Sequence, residues 1–314
     1  MAVDRLKEQE LWEDLHPKVK RGLSSLMDNV AFQDGRAFST ETGEEVTHLV
    51  DVSLKTTDKQ VRGLQGIDDL TEHYNENGKY VFAFFKQLTT MESRFPSLSK
   101  QDTARLMFLG TFVEWGSNRL QAPNGRQHYD KKALEKLVEM STKRFNEFFR
   151  KLENEGIIEE KESGEIFMNQ SVFYRGKLKD NEYDVSDLDY NKIFRKTVQD
   201  LYAEFKGRRL SQLANIYSVL PFLNFNTNIV CHNPEETSED LIKPMTLSEL
   251  AEILGYSDAH KLKRALETIK VNNNPVFWIP PNVHNKRELR IIVNPRVVFA
   301  GNSESLKAVK AMFN

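Results

Sequence analysis

Two stretches of the chain concentrate side chains that bind phosphate groups and the edges of DNA bases. Residues 117–150 hold eight Lys or Arg against four Asp or Glu, and residues 257–296 hold eight against three. The formal net charge of the whole chain is only −2, so both blocks are locally basic within a nearly neutral protein. Basic clusters of this kind indicate nucleic-acid binding when they lie on one face of a fold. For either block alone, the alternative is a solvated helix surface.

Each basic block contains a segment predicted to be a helix with a polar outer face. Arg and Lys on such a helix bind guanine, and Asn binds adenine. The predicted DNA-contacting residues of the first helix are Ser141, Thr142, Lys143, Arg144, Asn146 and Arg150, with Arg144 and Asn146 reading bases. Those of the second are Ser257, His260, Lys261, Lys263 and Arg264, with Lys261 and Arg264 reading bases. The predicted phosphate contacts are Lys131, Lys132, Lys143, Lys286, Arg287 and Arg290. For any single residue, the alternative is an exposed surface charge.

The sequence contains no pattern that indicates catalysis. It has no Gly-x4-Gly-Lys-Ser/Thr loop for nucleotide phosphates, and its seven His form no metal-binding pair. Cys231 and His232 are adjacent, which is poor geometry for a nucleophile and its base. We therefore expect a binding protein rather than an enzyme, with no metal ion and no cofactor.

The first basic block lies within a series of predicted helices that ends in a hairpin. An apolar stripe predicts a helix over residues 79–91, and Ser99 and Asp102 predict a capped second helix. Asp130 is predicted to cap a third helix, and a fourth helix is predicted to follow Ser141. After Gly156, two apolar runs predict strands joined by a turn at Ser163-Gly164. This order is typical of a winged helix-turn-helix, whose last helix enters the major groove.

The second half of the chain repeats this pattern. Asn118 corresponds to Asn228, and the phrase Asn169, Val172, Gly176 recurs as Asn294, Val297, Gly301. Thr246 with Glu249, and then Ser257, are predicted to cap the two helices before the second hairpin. We expect both Asn of the phrase to set turns, and both Gly to leave them with a positive φ.

These patterns predict a mainly α (α+β) protein with two tandem winged helix-turn-helix domains and an N-terminal helical or irregular extension. The predicted segments are an extension at 1–78, domains at 79–178 and 193–302, an acidic linker at 179–192 and a C-terminal helix at 303–314. Residues 5–30 are predicted to form an amphipathic helix that docks on the body or pairs with a second copy in a homodimer.

Composition indicates a cytoplasmic protein, which would be associated with a nucleoid or plasmid if it binds DNA. The single Cys excludes a disulfide within the chain. No run approaches the roughly 20 apolar residues of a membrane helix, so no membrane partner is expected.

Three stretches resemble RepL-type plasmid replication proteins: "STETGEEV" (39–46), "GKYVFAFFKQLTTM" (78–91) and the segment from Met140 to Lys177. The resemblance covers about residues 39–177, and the second repeat has no counterpart in that shorter family. Gln170 replaces the family's Pro after Asn, although Pro295 restores it in the second repeat. The resemblance implies a plasmid- or phage-encoded protein that binds double-stranded DNA at an origin or control region.

Three functions remain open at this point. The first is a replication initiator that binds origin repeats and recruits host replication proteins such as helicase or primase. The second is a transcriptional regulator or phage repressor with the same DNA-binding parts. The third is a protein-interaction module that does not bind DNA.

Overall fold

The computed structural model describes residues 29–33, 36–47, 58–125, 127–205, 207–280 and 290–313. The chain divides into two compact units, residues 1–61 and 62–314. In the first unit, β1 (Val30–Gln33) and β2 (Arg36–Ser39) form an antiparallel hairpin. Within the described ranges, ten α-helices accompany small antiparallel sheets, so the α+β class is confirmed.

The larger unit contains most of α1 and all later elements. Its helices are α1 (Asp58–Glu76), α2 (Met91–Arg94), α3 (Lys100–Gly110), α4 (Lys131–Leu137), α5 (Thr142–Asn154), α6 (Arg195–Glu204), α7 (Leu210–Ser218), α8 (Leu247–Ile253), α9 (Ala259–Glu267) and α10 (Ser303–Ala311). Its strands are β3 (Tyr80–Phe85), β4 (Ile158–Glu160), β5 (Ile166–Met168), β6 (Phe173–Tyr174), β7 (Asp189–Phe194), β8 (Lys270–Val271), β9 (Asn274–Pro275), β10 (Phe277–Trp278), β11 (Ile292–Val293) and β12 (Val298–Phe299).

A four-stranded antiparallel sheet in the order β12-β7-β3-β6 joins the two halves of this unit. Phe82 pairs with Lys192, and these two residues stand 110 positions apart, as Asn118 and Asn228 do. Tyr80 moved forward by 110 positions is Tyr190, and Phe194 moved back by 110 positions is Phe84. Tyr80 pairs with Phe194, and Tyr190 also pairs with Phe84. The sheet is therefore related to itself by a local two-fold axis through the Phe82–Lys192 pair. We call residues 80–176 the first repeat and residues 190–301 the second repeat.

The sheet has helices on one face and mixed cover on the other. Val81, Ala83, Phe85 and Ile193 belong to the large core that includes α3 and α7, which pack along each other. On the opposite face, Phe194 and Phe299 pack with residues of α10 and α1, including Leu306 and Leu70. Phe82, Phe84 and Tyr174 pack on this face with Leu178, Val185 and Leu188. Burial of both faces accounts for the nearly continuous apolar sequence of β3.

Burial on both faces also explains why the helix predicted over 79–91 is wrong. An apolar run of this length fits a doubly buried strand as well as a helix, and the structure has strand β3 there.

The structure also differs from the predicted linker at 179–192, because the last four residues of that segment belong to strand β7. Strand β7 contains the polar residues Asp189, Asn191 and Lys192, and of these Asn191 is buried and donates a hydrogen bond to the Leu220 carbonyl over 3.4 Å. The sequence does not predict helix α1, since a buried position on it is the polar His73 and the buried Asn77 follows its last residue. The predicted helix at 5–30 lies outside the described residues.

The repeated Asn residues have equivalent hydrogen bonds in both repeats. The Nδ2 of Asn169 donates to the Gly156 carbonyl over 2.8 Å, and that of Asn294 donates to Pro275 over 2.9 Å. Each Oδ1 accepts the backbone N–H two residues later, over 2.9 Å, so their role in setting the turns is confirmed.

The predicted role of the two Gly in the repeated phrase is wrong. Neither Gly176 nor Gly301 has a positive φ. A Cβ at Gly176 would lie 2.4 Å from the Tyr174 hydroxyl, and one at Gly301 would lie 2.5 Å from Ser305 Oγ. Close packing, rather than backbone conformation, therefore favours glycine at both sites.

A second pair of Asn residues fixes the hairpin of each repeat to its core. Asn118 and Asn228 are buried and have φ values of 60° and 55°. The Nδ2 of Asn118 donates to the carbonyls of Met168 and Phe173 over 2.8 and 2.6 Å. Asn228 does the same to Val293 and Val298, over 2.9 and 2.7 Å. The sequence comparison matches these two Asn but does not predict this function for them.

Candidate nucleic-acid interface

Helix α5 follows the short helix α4 and precedes the β4–β5 hairpin. Asp130 Oδ1 accepts the Ala133 N–H over 2.7 Å, which confirms the predicted cap of α4. Ser141 begins α5 without a side-chain cap bond, whereas the Thr142 hydroxyl donates to Glu135 over 2.6 Å. Gly156, with φ 65°, ends the helix as predicted.

The two faces of α5 differ strongly in polarity. Its inner face is buried and consists of Phe145, Phe148, Phe149 and Leu152. The predicted DNA-contacting residues of the first repeat are exposed, namely Ser141, Thr142, Lys143, Arg144, Asn146 and Arg150. Within the described ranges, none of the three cations among them forms an ion pair. This face therefore presents charge that is free to bind an anionic partner.

The two lysines at the start of α4 have different environments. Lys132 is exposed, while Lys131 is half-buried, with its Nζ 4.4 Å from the centre of the Phe149 ring. A cation over an aromatic face is stabilised there, so Lys131 supports the packing of α4 on α5 as well as adding charge.

The β4–β5 hairpin, by contrast, is acidic. Glu159, Glu160 and Glu162 are exposed, and Lys161 pairs with Glu159 over 2.5 Å. Hydrogen bonding from Arg119 is the main cause that lowers the pKa of Glu165. These carboxylates would be repelled by phosphates, so α5, rather than this hairpin, is the candidate contact in the first repeat.

Helix α9 is the counterpart of α5 in the second repeat, and its cations are partly paired. The cap is Asp258, not the predicted Ser257: its Oδ1 accepts the Lys261 N–H over 2.8 Å, and this bond is the main cause that lowers the pKa of Asp258. Lys261 Nζ donates to Ser257 Oγ over 2.8 Å, and Lys263 lies 3.7 Å from Glu267. Adjacent Ser and Asp both fit a cap, so sequence alone does not separate them.

Two further residues complete the predicted contacts of α9, and three are the predicted contacts of the second hairpin. His260 and Arg264 are exposed on α9, and neither forms an ion pair with another described residue. Arg290, a predicted phosphate contact, is paired with Glu239 over 2.8 Å. Lys286 and Arg287 lie outside the described residues. The uncompensated charge that the structure describes is therefore greater on α5 than on α9.

Comparisons with known proteins place no further constraint on this interface. The chain matches no protein-family model, no curated protein and no solved structure. Among the helices that the structure describes, none has the length and apolar character needed to cross a lipid bilayer.

Proposed function

We propose that the protein binds double-stranded DNA sequence-specifically through two winged helices, with α5 and α9 in major grooves. The unpaired cations on the exposed face of α5 carry this proposal, because Lys143, Arg144 and Arg150 project from a helix whose other face is fully buried. A rigid helix of this kind, preceded by a short capped helix and followed by a hairpin, is the arrangement that presents side chains to base edges.

The local two-fold axis supports one chain binding two neighbouring sites. Because an axis through the Phe82–Lys192 pair relates the repeats, it also relates α5 to α9. On a bound duplex these two helices would point in opposite directions along the DNA. The two helices carry different outward residues, with Arg144 and Asn146 on one and Lys261 and Arg264 on the other. The proposed target is therefore an imperfect inverted repeat recognised by a single chain.

Within this class, we propose a replication initiator of a plasmid or phage that binds origin repeats and recruits host replication proteins. The resemblance of residues 39–177 to RepL-type proteins supports this role over that of a transcriptional regulator. Sequencing of DNA fragments selected by the purified chain tests it. Enrichment of an array of short repeats is expected for an initiator, whereas a single operator beside a promoter would indicate a regulator.

The binding proposal itself is tested with a selected fragment by fluorescence anisotropy. Arg144→Ala should weaken binding by about 1–3 kcal/mol, as expected for loss of a base contact. The matched control is Lys179→Ala, because Lys179 is exposed beside Leu178, on the opposite face of the sheet from α5. Affinity should also fall steeply between about 50 and 200 mM salt. Equal affinities for the two variants would remove Arg144 from the base-reading residues, and binding without salt dependence would favour a protein-interaction module instead.

A further inference from the structure

A cavity of about 300 Å³ opens between α1, the start of β3 and the turn after α3. Its lining includes Tyr74, Tyr80, Phe82, Trp115, Lys79 and Arg175. None of these residues belongs to the proposed DNA-contacting surface. The volume is at the lower end of the range for small-ligand sites, so a ligand of one ring system and one charged group is the appropriate size.

The positive charge beside this cavity has no ion-pair partner in the described part of the chain. The guanidinium of Arg175 makes one long hydrogen bond, 3.4 Å to the Val113 carbonyl, and burial lowers its pKa. The nearby Glu114 is already engaged by Arg119 over 3.1 Å. Lys79 is exposed at the cavity and forms no ion pair with any described residue. Two cations therefore converge on the cavity without a matching anion.

Two further cations lie behind the wall of the cavity and make this excess larger. Arg195 is half-buried, and its Nε donates to the Thr111 carbonyl over 2.5 Å. Burial, followed by the charge of Arg175, lowers the pKa of Arg195 to about 10. Lys192 Nζ donates to the Tyr74 hydroxyl over 2.9 Å and lies 5.1 Å from the centre of that ring. An anion in the cavity would relieve repulsion between these groups.

An aromatic surface accompanies the charge. Tyr74 and Tyr80 meet edge to face with ring centres 4.9 Å apart, and Phe82 lies 5.2 Å from Tyr80. Trp115, at the rim, is 60% exposed, which leaves a large planar surface open to solvent. Rings of nucleic-acid bases stack on such surfaces without regard to sequence, because every base has a π face.

The second repeat lacks the guanidinium and the exposed indole of this cavity, so these two features are not by-products of the duplicated fold. The repeated phrase aligns Arg175 with Ala300, which removes the guanidinium. Trp115 aligns with Phe225, which packs partly buried against the core instead of standing exposed. At Gly301, the counterpart of Gly176, Ser305 of α10 occupies the adjacent space.

We propose that this cavity binds a nucleotide, with its phosphate against Arg175 and Lys79 and its base stacked on Trp115. The ligand class is a nucleoside monophosphate, either free or as one unit of a single strand. The site does not depend on duplex binding by α5, so each proposal can fail without the other.

Quenching of tryptophan fluorescence in the full chain tests this proposal. Adenosine monophosphate should quench the fluorescence saturably. Trp115→Phe should remove most of the quenching, because Trp115 is the tryptophan that lines the cavity. Adenosine, without the phosphate, should bind at least about tenfold more weakly, since a charge-assisted contact is lost. A short single-stranded adenine oligonucleotide that binds more tightly than the monophosphate, with the same dependence on Arg175, would identify a strand as the source of the nucleotide.

Two variants separate binding from folding. Arg175→Gln should weaken binding of the monophosphate at least about tenfold. Lys79→Asn removes the second charge at a position where φ is 60°, a conformation that Asn tolerates, so the fold should be retained. Lys243→Ala is the control and should bind the monophosphate like the wild type, because Lys243 is exposed and lines neither the cavity nor the proposed DNA-contacting surface. Equal binding of adenosine and its monophosphate, or wild-type affinity in both Arg175→Gln and Lys79→Asn, would overturn the proposal.

Discussion

Protonation of His73 should destabilise the larger unit as the pH falls below 7. His73 is fully buried on α1, and its Nε2 donates to the Pro295 carbonyl over 2.9 Å. Its Nδ1 lies 3.3 Å from the Nδ2 of Asn77, which donates to it. A proton on Nδ1 would therefore place two hydrogen-bond donors, the imidazole and the Asn77 amide, against each other at a site without access to water. Burial is the main cause that lowers the pKa of His73 to about 4.

The size of this effect follows from the difference between the pKa values of the folded and unfolded states. The unfolded chain takes up a proton near pH 6.5, while the folded chain does so only near pH 4. Between these values the unfolded state binds one more proton, so the free energy of unfolding decreases as the pH falls. From pH 7 to pH 5, His73 should remove about 2 kcal/mol of stability, and the full difference by pH 4 is about 3 kcal/mol.

Urea unfolding of the wild type and of His73→Gln at pH 7 and pH 5 measures this contribution. The variant should be less stable at pH 7, because it loses packing, but its stability should fall by about 2 kcal/mol less between the two pH values. The control is His260→Gln, since His260 is exposed on α9, and it should show the pH dependence of the wild type. An equal fall in the wild type and in His73→Gln would refute the reasoning.

Three further predictions concern the hairpin anchors, a helix cap and the second hairpin. In thermal melts, Asn228→Ala should lower the free energy of unfolding by about 2–4 kcal/mol, because two buried carbonyls lose their donor and Ala is strained at positive φ. Asn228→Gly relieves only the strain, so its stability should lie between those of Asn228→Ala and the wild type. Thr246→Ala should cost about 1 kcal/mol by the same measurement, since its hydroxyl caps α8 through the Glu249 N–H; no change would exclude a stabilising cap. Exchange of Lys286 and Arg287 for Glu should weaken DNA binding equally for all sequences in anisotropy titrations, and a selective loss would show that they read bases.

The sequence predicts those features that local chemistry determines. The capping boxes at Ser99 and Thr246 are both present, as are the turn at Ser163-Gly164 and the C-terminal Gly156 of α5. In each case a short polar side chain or a glycine satisfies backbone groups within a few residues. The outer face of α5 was predictable for the same reason, because Phe145 and its apolar neighbours recur at helical spacing.

Features that depend on distant partners were not predictable in this way. Strand β3 is apolar on both faces, because α3 and α7 cover one face and Leu178 and its neighbours cover the other. Its sequence therefore lacks the alternation of apolar and polar residues that would indicate a strand. The pairing of Arg290 with Glu239, which stands 51 positions earlier in the chain, likewise depends on the folded chain. The cavity beside Arg175 combines residues from three separated segments, and no local pattern marks it.

The pairing of β3 with β7 makes each half of the larger unit dependent on the other. A fragment ending before β7 would leave the six-residue edge of β3 open, with its backbone groups unpaired. Because the axis passes through Phe82 and Lys192, a second copy of the same fragment could satisfy that edge by pairing β3 with β3 in a nearly identical register. The larger unit thus has the form of two similar halves joined in one polypeptide, and because the halves are encoded separately, α5 and α9 can carry different outward residues.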